Sequence, residues 1–257
     1  MVSKMKSRGS EARKERIQKV LARAGIASRR KIEEYIQQGW IAINGKIIQK
    51  PGETVDIHTD TITFKGKTIQ SNPKKVYYVL NKPKFVLSTC YDEKNRKTVL
   101  DFFRSNPNRL FPVGRLDYLS DGLIILTNDG DFAYQLTHPK HDISKQYLVQ
   151  IKENISQAEM KLLSEGMILE EYKTKPCQVR AVQPEKKGIW LEMILFEGRN
   201  RQIRKMMEQL GKHIVSLTRT SIGICTIGNL LPGEHRSLTK EEVDFFLQPS
   251  KENKEKA

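Results

Sequence analysis

The chain has 257 residues, of which 38% are hydrophobic and 29% charged, the balance of a globular protein with room for one large domain or a small and a medium one. Lys and Arg number 45 against 30 acidic residues, a formal charge of +15, and 17 basic against 7 acidic side chains fall within residues 1–75, so +10 of the surplus sits in that segment. Such asymmetry points to a polyanion, nucleic acid before membrane, because no basic helix with a bulky apolar face accompanies it. No run is long enough to cross a bilayer and the first residues lack the apolar core of a secretory signal, so a cytoplasmic protein is expected. Cys90, Cys177 and Cys225 are odd in number and widely separated, which argues against a disulfide framework or a zinc knuckle. His138 and His141 flank Pro139, a poor spacing for a shared ion, and no metal site is expected.

Residues 1–14 are polar and basic without periodicity, as are residues 249–257, and both are expected to be disordered. From Glu15 the pattern predicts a helix with Ile17, Val20, Leu21 and Ala24 on one face and Gly25 past its end. Ser28 can cap a second helix whose inner face holds Ile32 and Ile36. That helix starts with Arg29, Arg30 and Lys31, three cations opposing the helix dipole by about 0.3–1 kcal/mol each, a cost that a phosphate bound there would offset. "WIAINGKII" then reads as a hairpin turning at Asn44-Gly45, and "TITFKGKTI" as another short ribbon.

Beyond the polar linker "SNPKK" at 71–75, strand-like runs such as "VYYVLNK", "GLIILT", "QYLVQI" and "IWLEMILF" alternate with helix-like stretches such as "SQAEMKLLSEG" and "NRQIRKMMEQLG". The mixture predicts an α+β domain with a mixed, mostly antiparallel sheet flanked by helices. No Gly-rich phosphate loop follows any strand, which disfavours nucleotide-cofactor chemistry. Within "GRLDYLSDGLIILTNDGD", Leu123 to Leu126 predict a strand buried on both faces, with Asp117 in its approach, where a rigid sheet can aim a loop side chain. Spacing alone makes Asp117 a turn residue paired with Arg115, and Arg204 a surface charge outside the stripe of Ile203, Met206, Met207 and Leu210.

Two family resemblances change that weighting. "RIQKVLARAGIASRRKIEEYIQQGWIAINGKII" resembles the S4 RNA-binding module, which implies an S4 domain over residues 15–72 that grips RNA through Arg23, Ser28, Arg29, Arg30 and Lys31. The stretch "GRLDYLSDGLIILTNDG", together with "LNKP" at 80–83, "KQY" at 145–147 and "EGRNRQIRKM" at 197–206, resembles the RsuA/RluB family of ribosomal RNA pseudouridine synthases, nearest to its RluB branch. It implies a catalytic domain over 73–248, with Asp117, Tyr147 and Arg204 as the catalytic set. Arg115, Arg199 and Arg201 are implied as further RNA contacts. Two departures stand out: Phe85 where the family commonly has Gly, and Ser120 where it commonly has Thr.

Isomerising uridine to pseudouridine breaks the C1′–N1 bond, rotates the base and rejoins it through C5. No atom is added, so no cofactor is implied. A carboxylate is needed, either as nucleophile or as base at a sugar proton, and the resemblance leaves both routes open. The implied partner is ribosomal RNA or a subunit precursor, 23S before 16S, with the protein acting as a monomer. The rival reading is a non-catalytic RNA-binding or ribosome-assembly factor, which the S4 module and the charge equally permit. A glycoside hydrolase would have only Asp117 and Asp121 as a nearby carboxylate pair, and a basic protein suits a neutral sugar poorly.

Overall fold

The apolar spacing of the first 70 residues builds a core of its own: Ile17, Val20, Leu21, Ile32, Ile36, Ile41 and Val55 are all fully buried in the computed structural model. The structure describes residues 14–70, 73–170, 172–182 and 188–248; both terminal tails apart from Lys14, and two residues of the 71–75 linker, lie outside them. The chain divides into two units, 1–74 and 75–257.

In the first unit the helices are Ile17–Arg23 and Arg29–Gln37. Gly25, at φ 82°, turns the chain past the end of the first helix. The Ser28 hydroxyl accepts the Lys31 N–H at 3.2 Å, satisfying one of the unpaired donors at the start of the second. Asn44 and Gly45, at φ 50° and 79°, make the two-residue turn between Ile41–Ile43 and Lys46–Ile47. Lys65 and Gly66 repeat it between Ile62–Phe64 and Lys67–Thr68. The helical pattern expected from Glu15 starts later. Residues Lys14–Arg16 are a strand paired antiparallel with Thr54–Asp56. The Ile17 N–H donates to the Glu53 carbonyl at 2.9 Å, so an available strand partner wins over helix propensity for that half-turn.

The second unit is built on a mixed sheet of nine strands among the described residues. Its main path runs Gln178–Val182, Ile189–Leu195, Lys145–Ile151, Ile214–Ile222, Asp121–Thr127, Tyr77–Lys82 and His235–Ser237. Every pairing is antiparallel except that of Asp121–Thr127 with Ile214–Ile222. The run Leu123–Leu126 is fully buried because both faces are covered. Leu123 and Ile125 pack with Phe132, Leu136 and Phe246 on one side, and Ile124 and Leu126 with Val99, Phe103 and Leu110 on the other. A third apolar cluster joins Val149, Leu191 and Met193 of the sheet to Leu163 of helix Gln157–Glu165 and to Ile203, Met206 and Met207 of helix Gln202–Gln209. No helix among the described residues is long and apolar enough to cross a membrane.

The parallel pairing is short, only Thr218 with Asp121 and Arg219 with Gly122, after which Phe111–Val113 takes over as partner of Ile125–Thr127. Gly122, at φ 107°, lets the two backbones touch. A Cβ there would lie 2.3 Å from the Arg219 carbonyl oxygen, so no side chain fits. The two parallel strands therefore meet just where the chain arrives from Asp117.

Candidate active site

Asp117 opens a turn that delivers the chain to the central strand, closed by the Ser120 N–H donating to the Asp117 carbonyl at 3.1 Å. Both neighbours of Asp117 are tied to one preceding loop. The Ser88 hydroxyl donates to the Leu116 carbonyl at 2.9 Å and accepts the Leu116 N–H at 3.1 Å. The Phe85 N–H donates to the Tyr118 carbonyl at 2.7 Å. These bonds leave the carboxylate, 28% exposed, little freedom to swing.

Phe85 makes its bond from the left-handed region, φ 63°, which costs a non-glycine residue about 1–2 kcal/mol. This gives a physical reason why glycine suits the position, and what the departure entails: a ring 59% exposed, edge-on to Tyr118 with centroids 5.6 Å apart. The loop itself is clasped by Lys82, fully buried, whose Nζ donates to the carbonyls of Pro83 at 2.8 Å and Val86 at 2.9 Å. Burial pulls the Lys82 amine down to about 8 against the upward pull of Asp121 and Asp117.

Arg204 comes from helix Gln202–Gln209, and its side chain is only 13% exposed rather than a solvated surface charge. Met206 and Met207 anchor the inner face of that helix, leaving Arg204 to lie along the turn at Asp117. Its Nε stands 3.4 Å from Asp117 Oδ2, and its Nη2 donates to the Ser120 hydroxyl at 2.8 Å. The guanidinium fork is thus split between the two ends of the turn instead of closing on the carboxylate alone. Ser120, 1% exposed, is therefore in direct contact with the residue that faces Asp117, so this second departure lies within the candidate site.

Tyr147 lies on strand Lys145–Ile151 opposite Arg219, beside an irregularity in the register between Gln146 and Tyr147. The register skips Thr220 there, so the extra residue is on Ile214–Ile222 and the alternation along Lys145–Ile151 is unbroken; the Tyr147 ring lines the same open cleft as Asp117, Ser120 and Arg204. Arg115, Arg199 and Arg201 line it too. Arg115 and Arg201 are exposed, while Arg199 stacks over the Tyr172 ring at 4.0 Å and stands 3.5 Å from Glu197. The structure thus brings together Asp117, Tyr147, Arg204 and three further arginines from three separate stretches of chain.

In the first unit, Ser28, Arg29, Arg30 and Lys31 are exposed together at one helix end. Arg23 instead points into its own unit, ion-paired with Glu15 at 3.0 Å, because the strand at Lys14–Arg16 places that carboxylate beside it. Sequence reasoning had no signal for Ser88, Lys82 or Ser120 as supports of the turn. Their partners lie 28, 4 and 84 residues away through loops whose path no periodicity encodes.

Comparison with known proteins bears on this arrangement. Residues 76–209 match the family model described as RNA pseudouridylate synthase, and residues 15–62 match that of the S4 domain. The chain is 41% identical over 231 residues to the ribosomal large subunit pseudouridine synthase B of Bacillus subtilis, covering 89% of this chain and 94% of the relative. It is 36% identical over 234 residues to an uncharacterized RNA pseudouridine synthase of Aquifex aeolicus, covering 89% and 92%. A solved structure described as a pseudouridylate synthase superposes with a TM-score of 0.66 at 28% identity, over 90% of this chain and 99% of that one.

Proposed function

The chain belongs to the RNA pseudouridylate synthase family, and from that premise we infer that it converts one uridine of large-subunit ribosomal RNA to pseudouridine, with Asp117 as the reacting group. The observation that carries the residue assignment is the Arg204–Asp117 pair, held on a clamped turn inside a cleft that also contains an aromatic ring. Either route, attack at the sugar or removal of a sugar proton, uses a carboxylate oxygen of Asp117, and Arg204, with its Nε 3.4 Å from Oδ2, helps to hold that group in place. The C1′–N1 bond breaks, the freed uracil turns while stacked on Tyr147, C1′–C5 forms, and the C5 proton is lost while N1 takes one up, so the formula is unchanged. Tyr147 assists that proton transfer.

A base inside a helix cannot reach such a cleft, so the target nucleotide flips out. Stacking on the Tyr147 ring offsets part of the unstacking cost of a few kcal/mol. Arg115 and Arg201, exposed at the cleft, hold the RNA strand from which the base has left. The first unit, residues 15–72 in this reading, supplies the remaining grip through Ser28, Arg29, Arg30 and Lys31. The enzyme acts as a cytoplasmic monomer on ribosomal RNA or a subunit precursor.

The test is pseudouridine mapping in ribosomal RNA from cells with and without the gene, followed by single-turnover conversion of the matching fragment. Asp117→Asn keeps size and most hydrogen bonds but can neither attack nor take a proton, so conversion should drop by several orders of magnitude while RNA affinity stays within about threefold. Substantial product from that variant would remove Asp117 from the mechanism. A modified position in small-subunit RNA would correct the substrate.

A further inference from the structure

The reaction leaves a second hollow unused. It is partly open to solvent and shares Arg115, Tyr147, Gly198 and Arg199 with the cleft, but adds Lys145 and Arg219 in place of Asp117 and Arg204. Among the described residues no carboxylate lines it, while four cations do, of which Arg199 alone has a carboxylate within ion-pair distance, Glu197 at 3.5 Å. Arg219 is 4% exposed. Its Nε donates to the Leu123 carbonyl at 2.7 Å, and its Nη2 is buried without a hydrogen-bond partner among the described residues. Buried donors are nearly always paired, and a guanidinium N–H can pair only with an acceptor.

Lys145 supplies the second donor. It stands two residues before Tyr147 on one strand, so the two side chains share a face about 6.6 Å apart along it. Its Nζ gives one hydrogen to the Ile143 carbonyl at 2.8 Å, and an ammonium carries three. Burial, then the charges of Arg219 and Lys175, pull this amine down to about 8, while Asp142 and Glu197 pull it up. An anion seated between Lys145 and Arg219 would relieve their repulsion and satisfy both.

We propose that this hollow is an anion subsite that takes an RNA backbone phosphate flanking the flipped uridine, with Lys145 and Arg219 as its inner ligands and Arg115 and Arg199 at its mouth. The assignment rests on the pseudouridine synthase reading and deepens it. The base lies against Tyr147 on the side of Asp117, and the adjoining phosphate enters the neighbouring hollow. Recognition of the target is then partly recognition of a backbone bent far enough to place base and phosphate on either side of one ring.

The experiment uses the full chain and RNA fragments spanning the mapped uridine, with an uncharged methylphosphonate at each of the two flanking phosphates in turn. One substitution should weaken wild-type binding about tenfold, the scale of one charge-assisted hydrogen bond. Lys145→Gln should weaken intact RNA by a similar factor and lower the log-log salt slope by about 0.7–0.9, and it should lose nothing more on the neutral RNA. Lys145→Arg should restore the preference for the charged backbone. Should Lys145→Gln not fold, the wild-type enzyme still decides: its preference for intact over neutral RNA should shrink as pH rises past about 8.

Losses that multiply, or a wild type indifferent to both methylphosphonates, would overturn the assignment while leaving the activity intact. Slowing by inorganic phosphate in the wild type but not in Lys145→Gln, with no methylphosphonate effect, would make the hollow a free-anion site and also overturn it. A wild-type enzyme that modifies no uridine would remove the functional reading itself, and this assignment with it.

Discussion

Ser120 is a small side chain that holds a long one, Arg204. Arg204 is kept by a hydroxyl at 2.8 Å and a carboxylate at 3.4 Å, so removing the hydroxyl leaves a buried N–H unpaired, at about 1–3 kcal/mol. Ser120→Ala should lower the single-turnover rate about tenfold or more with little change in RNA affinity, and Ser120→Thr, which keeps the oxygen, should restore it. An equal loss in both variants would show that Ser120 acts through packing alone. Lys145 carries a signed pH prediction. Its folded value near 8 lies below the ordinary 10.5, so the folded protein bears a charged, buried amine at lower pH. Between about 8 and 10.5 the native state sheds that proton before the unfolded chain does, so stability from this group rises with pH there. Chemical denaturation of wild type against Lys145→Gln should show the wild type gaining relative to the variant across that window. Asp117, Tyr147 and Arg204 were legible as candidates only because "GRLD", "KQY" and "NRQIRKM" resemble a family; spacing favoured a turn for Asp117 and a solvated face for Arg204. The residues that support them were not legible, since a hydroxyl at 120 gives no sign that residue 204 folds back onto it.

The second helix of the first unit shows an element whose local chemistry and burden disagree. Ser28 caps it well, yet Arg29, Arg30 and Lys31 crowd the positive end of its dipole. Ser28→Ala should therefore cost about 1 kcal/mol in denaturant unfolding of that unit. Replacing Arg29, Arg30 and Lys31 together by Ala should leave stability unchanged or slightly higher while weakening RNA binding. A stability loss without a binding loss would mean that these cations serve the fold. Elements of this kind were readable because their signals are local: the Ser cap, the Asn44-Gly45 turn, and the apolar run Leu123–Leu126 each carry their cause within a few residues. The strand at Lys14–Arg16 was not, because its cause is the edge of Thr54–Asp56, some forty residues on. A helix pattern read from Ile17 forward says nothing about what precedes it once a partner strand is available.

At the scale of the whole molecule, charge and chemistry are allotted to different parts of the chain. The surplus of +10 within residues 1–75 belongs almost wholly to the unit that ends at Lys74, whereas Asp117, Tyr147 and Arg204 all lie in the unit that begins at Lys75. Each unit has its own buried apolar core, so the second should survive removal of the first. That division was visible in composition alone, because electrostatic footprint is a property of counts, whereas the cleft depends on residues 115–120, 147 and 197–204 meeting in space and could not be counted. It sets up the broadest prediction. A protein lacking residues 1–74 should fold, bind ribosomal RNA more than tenfold more weakly, and show a flatter dependence of log affinity on log salt, each lost phosphate contact removing about 0.7–0.9 from the slope. Its single-turnover rate at saturating RNA should remain within about tenfold of the full chain, because the clamped turn, the Arg204 bridge and the Tyr147 ring are all retained. Filter binding over a salt series, paired with conversion at saturation, separates the two terms. An unchanged slope would place the phosphate grip in the second unit, and a rate that collapses at saturation would mean that the first unit shapes the RNA for flipping as well as holding it.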